Sequence, residues 1–299
     1  MKKIFLMLFA VATLSLVGCA SEGSDQSASG AASEASASQS GSVDAFPWDF
    51  PMDIALDAEV GQTVLAPYTY YPIAIRDGED LLDKGLIFYN TTMEEVGKTS
   101  SALGSKKDQI PNALIIPLAK DQQAKVGDVV LTWWQGGSGM QRALVVDASN
   151  PAQPKVNFLD LSWDRSSDDR PSMGEDHAEK ELKASSFQVL KNEAWEPGAQ
   201  VAVRENGKWS AGTLIREKDG KILVLGFAAK VKAFKKDDAK IIPFKEDIKP
   251  GDAVHCYFVG SYNDGYTVTK VDEKRGLITC KDSHDKEKVY PITQVTKVL

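Results

Sequence analysis

Histidine and cysteine are scarce in this chain, three of each in 299 residues. That scarcity removes most nucleophilic and metal chemistry. No histidine lies near a G-x-S-x-G elbow or beside a cysteine in catalytic spacing, so nucleophilic triads lack parts. There is no phosphate loop, no G-x-G-x-x-G after a strand pattern and no H-E-x-x-H. Cys256, Cys280, His255 and His284 show no C-x-x-C spacing, and His255 points away from Cys256 by strand parity, which argues against zinc. The acids around His177 lack the order of a calcium loop. No arginine-rich tract exists, so nucleic acid is not an expected partner. Helical periodicity is missing beyond the first residues. A pair of catalytic carboxylates far apart in sequence leaves no such trace, but small β units seldom supply the deep cleft that glycoside chemistry needs. The expectation is a protein that is not an enzyme and carries neither cofactor nor metal.

Residues 1–21, MKKIFLMLFAVATLSLVGCAS, open with Lys2 and Lys3 and continue as an apolar run over residues 4–17. That run is too short to span a bilayer and suits a signal h-region. It ends in Leu16-Val17-Gly18-Cys19, which resembles the lipobox of bacterial lipoproteins. The resemblance implies cleavage after residue 18, acylation of Cys19 and anchoring in the membrane by several acyl chains. Ala20 stands where retention at the inner membrane would favour Asp, so the expected location is the cell envelope at the outer membrane. Residues 19–43 are nearly all Ser, Ala, Gly and acid, too polar to bury a core, and read as a flexible tether. Its reach is roughly 25–30 Å. Charge is uneven over the rest. Residues 20–118 hold 5 basic and 15 acidic side chains, and residues 191–244 hold 11 basic and 7 acidic.

A phrase recurs four times after the tether: EVGQTVLAPY from Glu59, KVGDVVLTWW from Lys125, EPGAQVAVRE from Glu196 and KPGDAVHCYF from Lys249. Each puts Val or Pro before a glycine and an alternating strand after it. A second phrase follows in each unit: LIFYN from Leu86, VNFLD from Val156, LVLGF from Leu223 and ITCKD from Ile278. A third, LIIPL, FQVL, IIPF and VYPI, closes the units at Leu118, Leu190, Phe244 and Ile292. Apolar positions two apart predict strands with one inward face. Hairpin signals sit between them at QGGSG (from Gln135), ENGK (Glu205), EKDG (Glu217) and YNDG (Tyr262). The expected class is all-β, with units at 44–118, 119–190, 191–244 and 245–299, the first divergent.

The second unit, with Gly127-Asp128-Val129-Val130, Trp134, Ala143, Val145, Val156, Phe158 and Asp160, is similar to the Tudor and related SH3-like families. The fourth keeps Gly251-Asp252, Val254, Phe258, Ile278 and Asp282. The resemblance implies three to four tandem five-stranded SH3-like (Tudor-like) barrels. Trp134 then sits where the interior reaches a barrel mouth, with Tyr68, Glu205 and Phe258 at matching positions. Trp133, on the outer face, is expected to pack between units. In Tudor domains such aromatics cage methylated cations. Here one cage position falls on Gln141 and another on Leu161, with Trp163 two residues beyond, so no complete cage is visible. Tyr68, Trp134, Phe158, Trp163 and Phe258 remain candidates for a shallow ligand groove, with plain packing the alternative. Cys256 and Cys280 both point inward in the fourth unit, as a possible disulfide or as two buried thiols.

The resulting expectation is a lipid-anchored envelope protein that binds or assembles with an envelope protein partner through these grooves. The alternative is peptidoglycan binding like that of bacterial SH3 modules, with Arg216, Lys230, Lys232, Lys235 and Lys236 meeting the anionic wall.

Overall fold

A computed structural model describes residues 46–133, 139–160 and 180–299. The strands fall into four sets. The first holds β1 (Thr63–Ala66), β2 (Tyr89–Glu95), β3 (Ser100–Leu103), β4 (Asp108–Pro111) and β5 (Ile116–Pro117). The second holds β6 (Val129–Trp133), β7 (Met140–Asp147), β8 (Lys155–Phe158), β9 (Lys180–Glu181) and β10 (Gln188–Val189). The third holds β11 (Gln200–Glu205), β12 (Lys208–Lys218), β13 (Lys221–Leu225), β14 (Val231–Lys235) and β15 (Ala239–Ile241). The fourth holds β16 (Ala253–Phe258), β17 (Ser261–Asp272), β18 (Leu277–Lys281), β19 (Glu287–Pro291) and β20 (Val295–Thr296). In every set the fifth strand lies beside the first, followed by the second, third and fourth, all antiparallel. The third and fourth sets merge into one ten-stranded sheet where Ser210 of β12 pairs with Ser261 of β17. The protein is mostly β, built from several sheets, none of them closed.

The recurring glycines make the same contact in each set. Gly61, Gly127, Gly198 and Gly251 all have φ between 83° and 96°. The residue after each donates its N–H to the carbonyl three residues back, as Asp128 does to Lys125 at 3.0 Å and Asp252 to Lys249 at 3.0 Å. This is a four-residue turn with Val or Pro second and a left-handed glycine third, the type II pattern. Each glycine N–H then binds one carbonyl of the second strand: Met93, Val145, Leu214 or Val268, at 2.7–2.8 Å. The N–H of that same residue returns to the residue after the glycine, at 2.9 Å in all four. Immediately beyond it the pairing of second and third strands slips, between Met93 and Glu95, Val145 and Asp147, Leu214 and Arg216, and Val268 and Lys270. A bulge at that point bends and twists the strand, and the glycine turn clasps it there.

Two sets of side chains fill the interior. Within β6, Val130 joins Ala143, Val145, Val156 and Phe158 in the core of the second set, as alternation predicts. Val129, Leu131 and Trp133 face the other way, into a larger core shared with Phe88 and Leu114 of the first set and Ile215, Leu223 and Val231 of the third. Trp133 therefore packs between units. Polar groups cross the junctions too. Arg142 Nε and Nη2 donate to Asp160 at 2.8 and 2.7 Å, and its Nη1 donates to the side-chain Oε1 of Gln200. Gln200 donates to the Tyr262 hydroxyl at 2.9 Å, and Tyr262 donates to the Thr293 carbonyl at 3.4 Å. Burial pushes the Tyr262 hydroxyl pKa well up, so it stays a donor.

Three repeat assignments need correction. LIFYN lies before and at the start of β2 rather than on a third strand, which is β3. Its apolar residues Leu86 and Phe88 are buried by packing after an inserted helix, α1 (Tyr71–Asp77). That helix was not expected. Pro72 opens it and Gly78, left-handed at φ 71°, ends it. VYPI lies on β19, and the closing strand is β20. YNDG is no hairpin turn but lies inside β17, where Asp264 and Gly265 are absorbed between the pairs Val254–Tyr266 and Cys256–Asn263.

An added Cβ at Gly127 would meet nothing within 4 Å, whereas at Gly198 it would lie 3.0 Å from both δ-carbons of Leu131. Gly127→Ala should therefore cost only backbone strain, about 1–2 kcal/mol. Gly198→Ala should cost clearly more, and urea denaturation of the two variants gives the comparison. Asp160→Ala, which strands the buried Arg142 guanidinium, should cost about 3–5 kcal/mol by the same measurement.

Candidate functional site

The third and fourth sets enclose an open groove of about 460 Å³ between them, a size typical of ligand pockets. Its floor is Val203, Ala211 and Val224, from β11, β12 and β13, with Phe234 of β14 at one side. Phe227, Ala228 and Lys230 form one wall, and the turn Val259–Ser261 of the fourth set forms another that meets it where Phe227 packs on Gly260. Both walls are strained. Val259 has φ 46° and Gly260 φ 82°, the pattern of a type I′ hairpin turn, which Asn-Gly normally occupies. A β-branched residue there is a conformational outlier costing about 1–3 kcal/mol. In the other wall Ala228 and Ala229 both have φ 57°.

Neighbouring units hold these walls. The Gly260 carbonyl accepts the Ala211 N–H at 2.9 Å, and a Cβ at Gly260 would come within 2.9 Å of Phe227 Cβ. Thus Gly260 is needed both for its φ and for the close approach of the phenyl ring. The Ala229 carbonyl accepts the Leu86 N–H at 2.7 Å, and Trp48 Nε1 donates to Val231 O at 2.7 Å on the edge strand. Lys230 pairs with Asp83 at 3.0 Å. At the rim, Lys232 Nζ lies 2.5 Å from Glu205 Oε1, and Ser210 Oγ lies 3.4 Å from Glu205 Oε2. The apolar residues of the walls stay open to solvent: Phe227 is 59% and Val259 60% exposed, and the adjoining Phe258 is 55% exposed. Lys288 Nζ sits 5.2 Å from the Phe258 ring centroid. Such a surface, an apolar floor and rim with a carboxylate–ammonium pair and a hydroxyl beside it, can seat an apolar side chain and orient polar groups flanking it. Among the described residues no group of three His, Cys, Asp or Glu could hold a metal ion, and no helix is long and apolar enough to cross a membrane.

The residues singled out by sequence separate. Phe258 is exposed beside the groove, and Glu205, at the matching position, lines it. Each is the last residue before a two-residue hairpin turn, paired with Ser261 and Lys208 respectively. Tyr68 is half-buried in the first set, near Gly104, away from the groove. Near it Tyr70 and Tyr89 stack with centroids 6.0 Å apart and hydroxyls at 3.5 Å. Phe158 must be corrected. It is 1% exposed, inside the core of the second set, where packing against Val130 and Ala143 leaves a ligand no access. Cys19, Trp134 and Trp163 lie outside the described residues, as do most of QGGSG and the segment with His177. Cys256 and Cys280 are free thiols, both buried.

The basic face proposed for the third unit is largely used internally. Arg216 is half-buried, with Nη2 donating to the Ile115 carbonyl and a buried Nε without a hydrogen-bond partner. Burial brings its guanidinium down to about 10, so it remains charged near neutral pH. Lys230 and Lys232 are paired as above, and Lys236 lies 3.5 Å from Glu217 and 4.9 Å from the Trp195 ring centroid. Sequence reasoning missed Phe227 and Val259. The trace available was a Val-Gly pair ending an alternating strand, an unusual composition for a hairpin turn.

No protein-family model matches the chain, and no curated protein matches it.

Replacing Val259 by Asn should relieve the turn. The expected gain is about 1 kcal/mol in urea denaturation. A loss instead would mean that packing of the Val259 side chain outweighs the strain.

Proposed function

We propose that this chain is a non-catalytic binding protein of the bacterial cell envelope, whose partner docks in the groove between the third and fourth units. The observation that carries this reading is the convergence of two non-glycine residues in left-handed backbone, Ala228 and Val259, on one largely apolar opening. Strain of this kind persists where surrounding structure enforces it, and it clusters at binding sites. Here it holds two exposed apolar side chains, Phe227 and Val259, at the lining of the same cavity, on two segments that touch through Phe227 and Gly260. A partner that buries them recovers hydrophobic stabilisation without ordering a flexible loop.

The same proposal takes the four units as SH3-like (Tudor-like) barrels in tandem. The order fifth-first-second-third-fourth in all four, with the same glycine clasp and the same bulge, supports it. Residues 1–18 act as a lipoprotein signal and Cys19 carries the acyl chains. The polar tether then sets the body near the outer membrane, within reach of envelope proteins.

Two measurements test this. Labelled palmitate should enter the full chain in a bacterial host and be lost in Cys19→Ala. A photo-crosslinking side chain at position 258, in the anchored chain in cells, should capture a defined envelope protein. Phe227→Ser together with Val259→Ser should lower that capture at least tenfold, while Lys235→Glu leaves it unchanged. Crosslinking indifferent to the groove variants would end the groove reading. Binding of the soluble body to purified peptidoglycan, lost in Lys235→Glu, would move the function to the basic face.

A further inference from the structure

Residues 46–58 contain neither helix nor strand, yet their burial alternates. Trp48, Phe50 and Ile54 are buried, while residues 47, 49, 53, 55 and 57 are exposed. Alternation of this kind usually marks a paired strand, but here Pro47 and Pro51 have no N–H with which to extend a ladder. Hydrogen bonds from the Phe50 N–H to Trp48 O (2.7 Å) and from the Ile54 N–H to Met52 O (2.9 Å) stay inside the segment. It is a strap held mainly by side chains. Trp48, Phe50 and Ile54 enter the large core shared between sets, with Phe46 packed on it edge to face against Trp48 at 5.1 Å. Farther along, Ile54 O accepts from Asn112 Nδ2 of the first set at 2.8 Å. Asp49 pairs with Lys221 of β13, an exposed contact that adds little. The Trp48 end reaches the groove. Its indole N–H donates to the Val231 carbonyl at 2.7 Å, and Val231 opens β14 directly after Lys230 of the groove wall. The same wall is held from the first unit, where the Leu86 N–H donates to Ala229 O and Gly85 bridges to Lys230. Between these two supports Phe227 stays exposed, and Ala228 and Ala229 keep φ 57°. Val231 is 0% exposed, so loss of the indole donor would leave a buried carbonyl unpaired beside the wall.

We infer that this strap is a latch through which the tether governs the groove, an inference that rests on the binding function proposed above. Seated, Trp48 fixes the start of β14 and with it the wall that presents Phe227. Lifted, it releases Val231 and lets Ala228 and Ala229 relax out of the left-handed region, and the partner loses its seat. The strap follows directly on the polar tether, so a pull between the anchor and a docked partner acts on Phe46 and Trp48 before it acts on any sheet. A segment outside every ladder is among the first parts of a fold to open. Lifting residues 46–54 adds about 30 Å of chain, at roughly 3.3–3.6 Å per residue. That matches the reach of the tether itself, so the latched body is held short and binds, and the unlatched body is held long and lets go. Linkage makes the coupling reciprocal: a docked partner resists lifting of the strap by the same factor.

The test reads hydrogen exchange by mass spectrometry on the full chain carrying Cys19→Ser. Trp48→Phe keeps a ring in the core and removes the indole donor. Amides of residues 84–86 and 226–232 should then exchange about tenfold faster or more, while those of Gly127 and Val145 in the second set keep their rate. The opposite change pins the strap: Asp49→Cys with Lys221→Cys, joined by a short bis-maleimide, should slow the same wall amides below the unaltered rate. In cells, Trp48→Phe in the anchored chain should lower photo-crosslinking from position 258 by about tenfold, as the linkage requires. Faster exchange spread over all four sets would make Trp48 a core residue only and overturn the inference. So would wall amides indifferent to both changes, or a wall that responds while capture at position 258 stays constant. If position 258 captures nothing in the unaltered chain while the exchange moves in both directions, the coupling of strap to wall stands and the binding function falls.

Discussion

The architecture depends on a hydrogen-bonded clasp made four times, between a left-handed glycine turn and the bulged residue of the second strand. A bulge on its own leaves a backbone donor and acceptor turned out of the ladder, and unpaired backbone groups are costly once covered. The turn at Gly61, Gly127, Gly198 or Gly251 supplies both partners at that point. Only a residue free of a Cβ adopts φ near 90° without strain. The clasp thus sets three things together: where the first strand starts, where the second strand bends, and which side chains face inward. Loop lengths between the glycines can vary widely because nothing in the clasp depends on them.

How the units join is governed by a different balance. Alternation along β6 gives the second set two apolar faces, and the outer one needs a cover. Val129, Leu131 and Trp133 find it in the first set and in Ile215 and Leu223 of the third. Such contacts are non-directional and do not by themselves define orientation. The buried chain from Asp160 through Arg142, Gln200 and Tyr262 to Thr293 is directional. It spans the second, third and fourth sets, and a shift of any one would leave a charge or a polar donor without its partner. The polar chain therefore specifies an arrangement whose stability comes from the apolar contact.

The all-β class and the strand beginnings were legible because they follow local rules. Alternation reports a buried face, and a glycine after Val or Pro reports a turn. Val130 and Leu131 went to opposite cores for that reason alone. The errors share a cause: a local signal was serving a different local need. LIFYN alternates because Leu86 and Phe88 are buried after an inserted helix, not because a third strand is there. Asn263-Asp264-Gly265 has turn chemistry, but a bulge uses the same conformations, and β17 runs on through it. Phe158 matched a ligand position by spacing, yet whether an inward aromatic lines a mouth or fills a core depends on what packs above it, a tertiary matter. The groove was illegible for a stronger reason, since its walls come from two units and its strained residues are Val and Ala, which advertise nothing.

That mismatch between residue and conformation bears on function. If the Val259–Gly260 turn served only to reverse the chain, Asn at its first position would do so with less strain. The chain instead holds an exposed branched apolar side chain there, locked by the Ala211–Gly260 hydrogen bond and by Phe227 against Gly260. In the segment that follows Phe227, Ala228 and Ala229 take a conformation suited to glycine, and the first unit secures them through Leu86. Stabilisation drawn from three units is thus concentrated on two short segments that bury little of their own surface. In folding terms this is a local deficit. It becomes intelligible if the missing burial is supplied by another molecule, for which the rigid walls, the apolar floor and the Glu205–Lys232 pair at the rim form a ready seat.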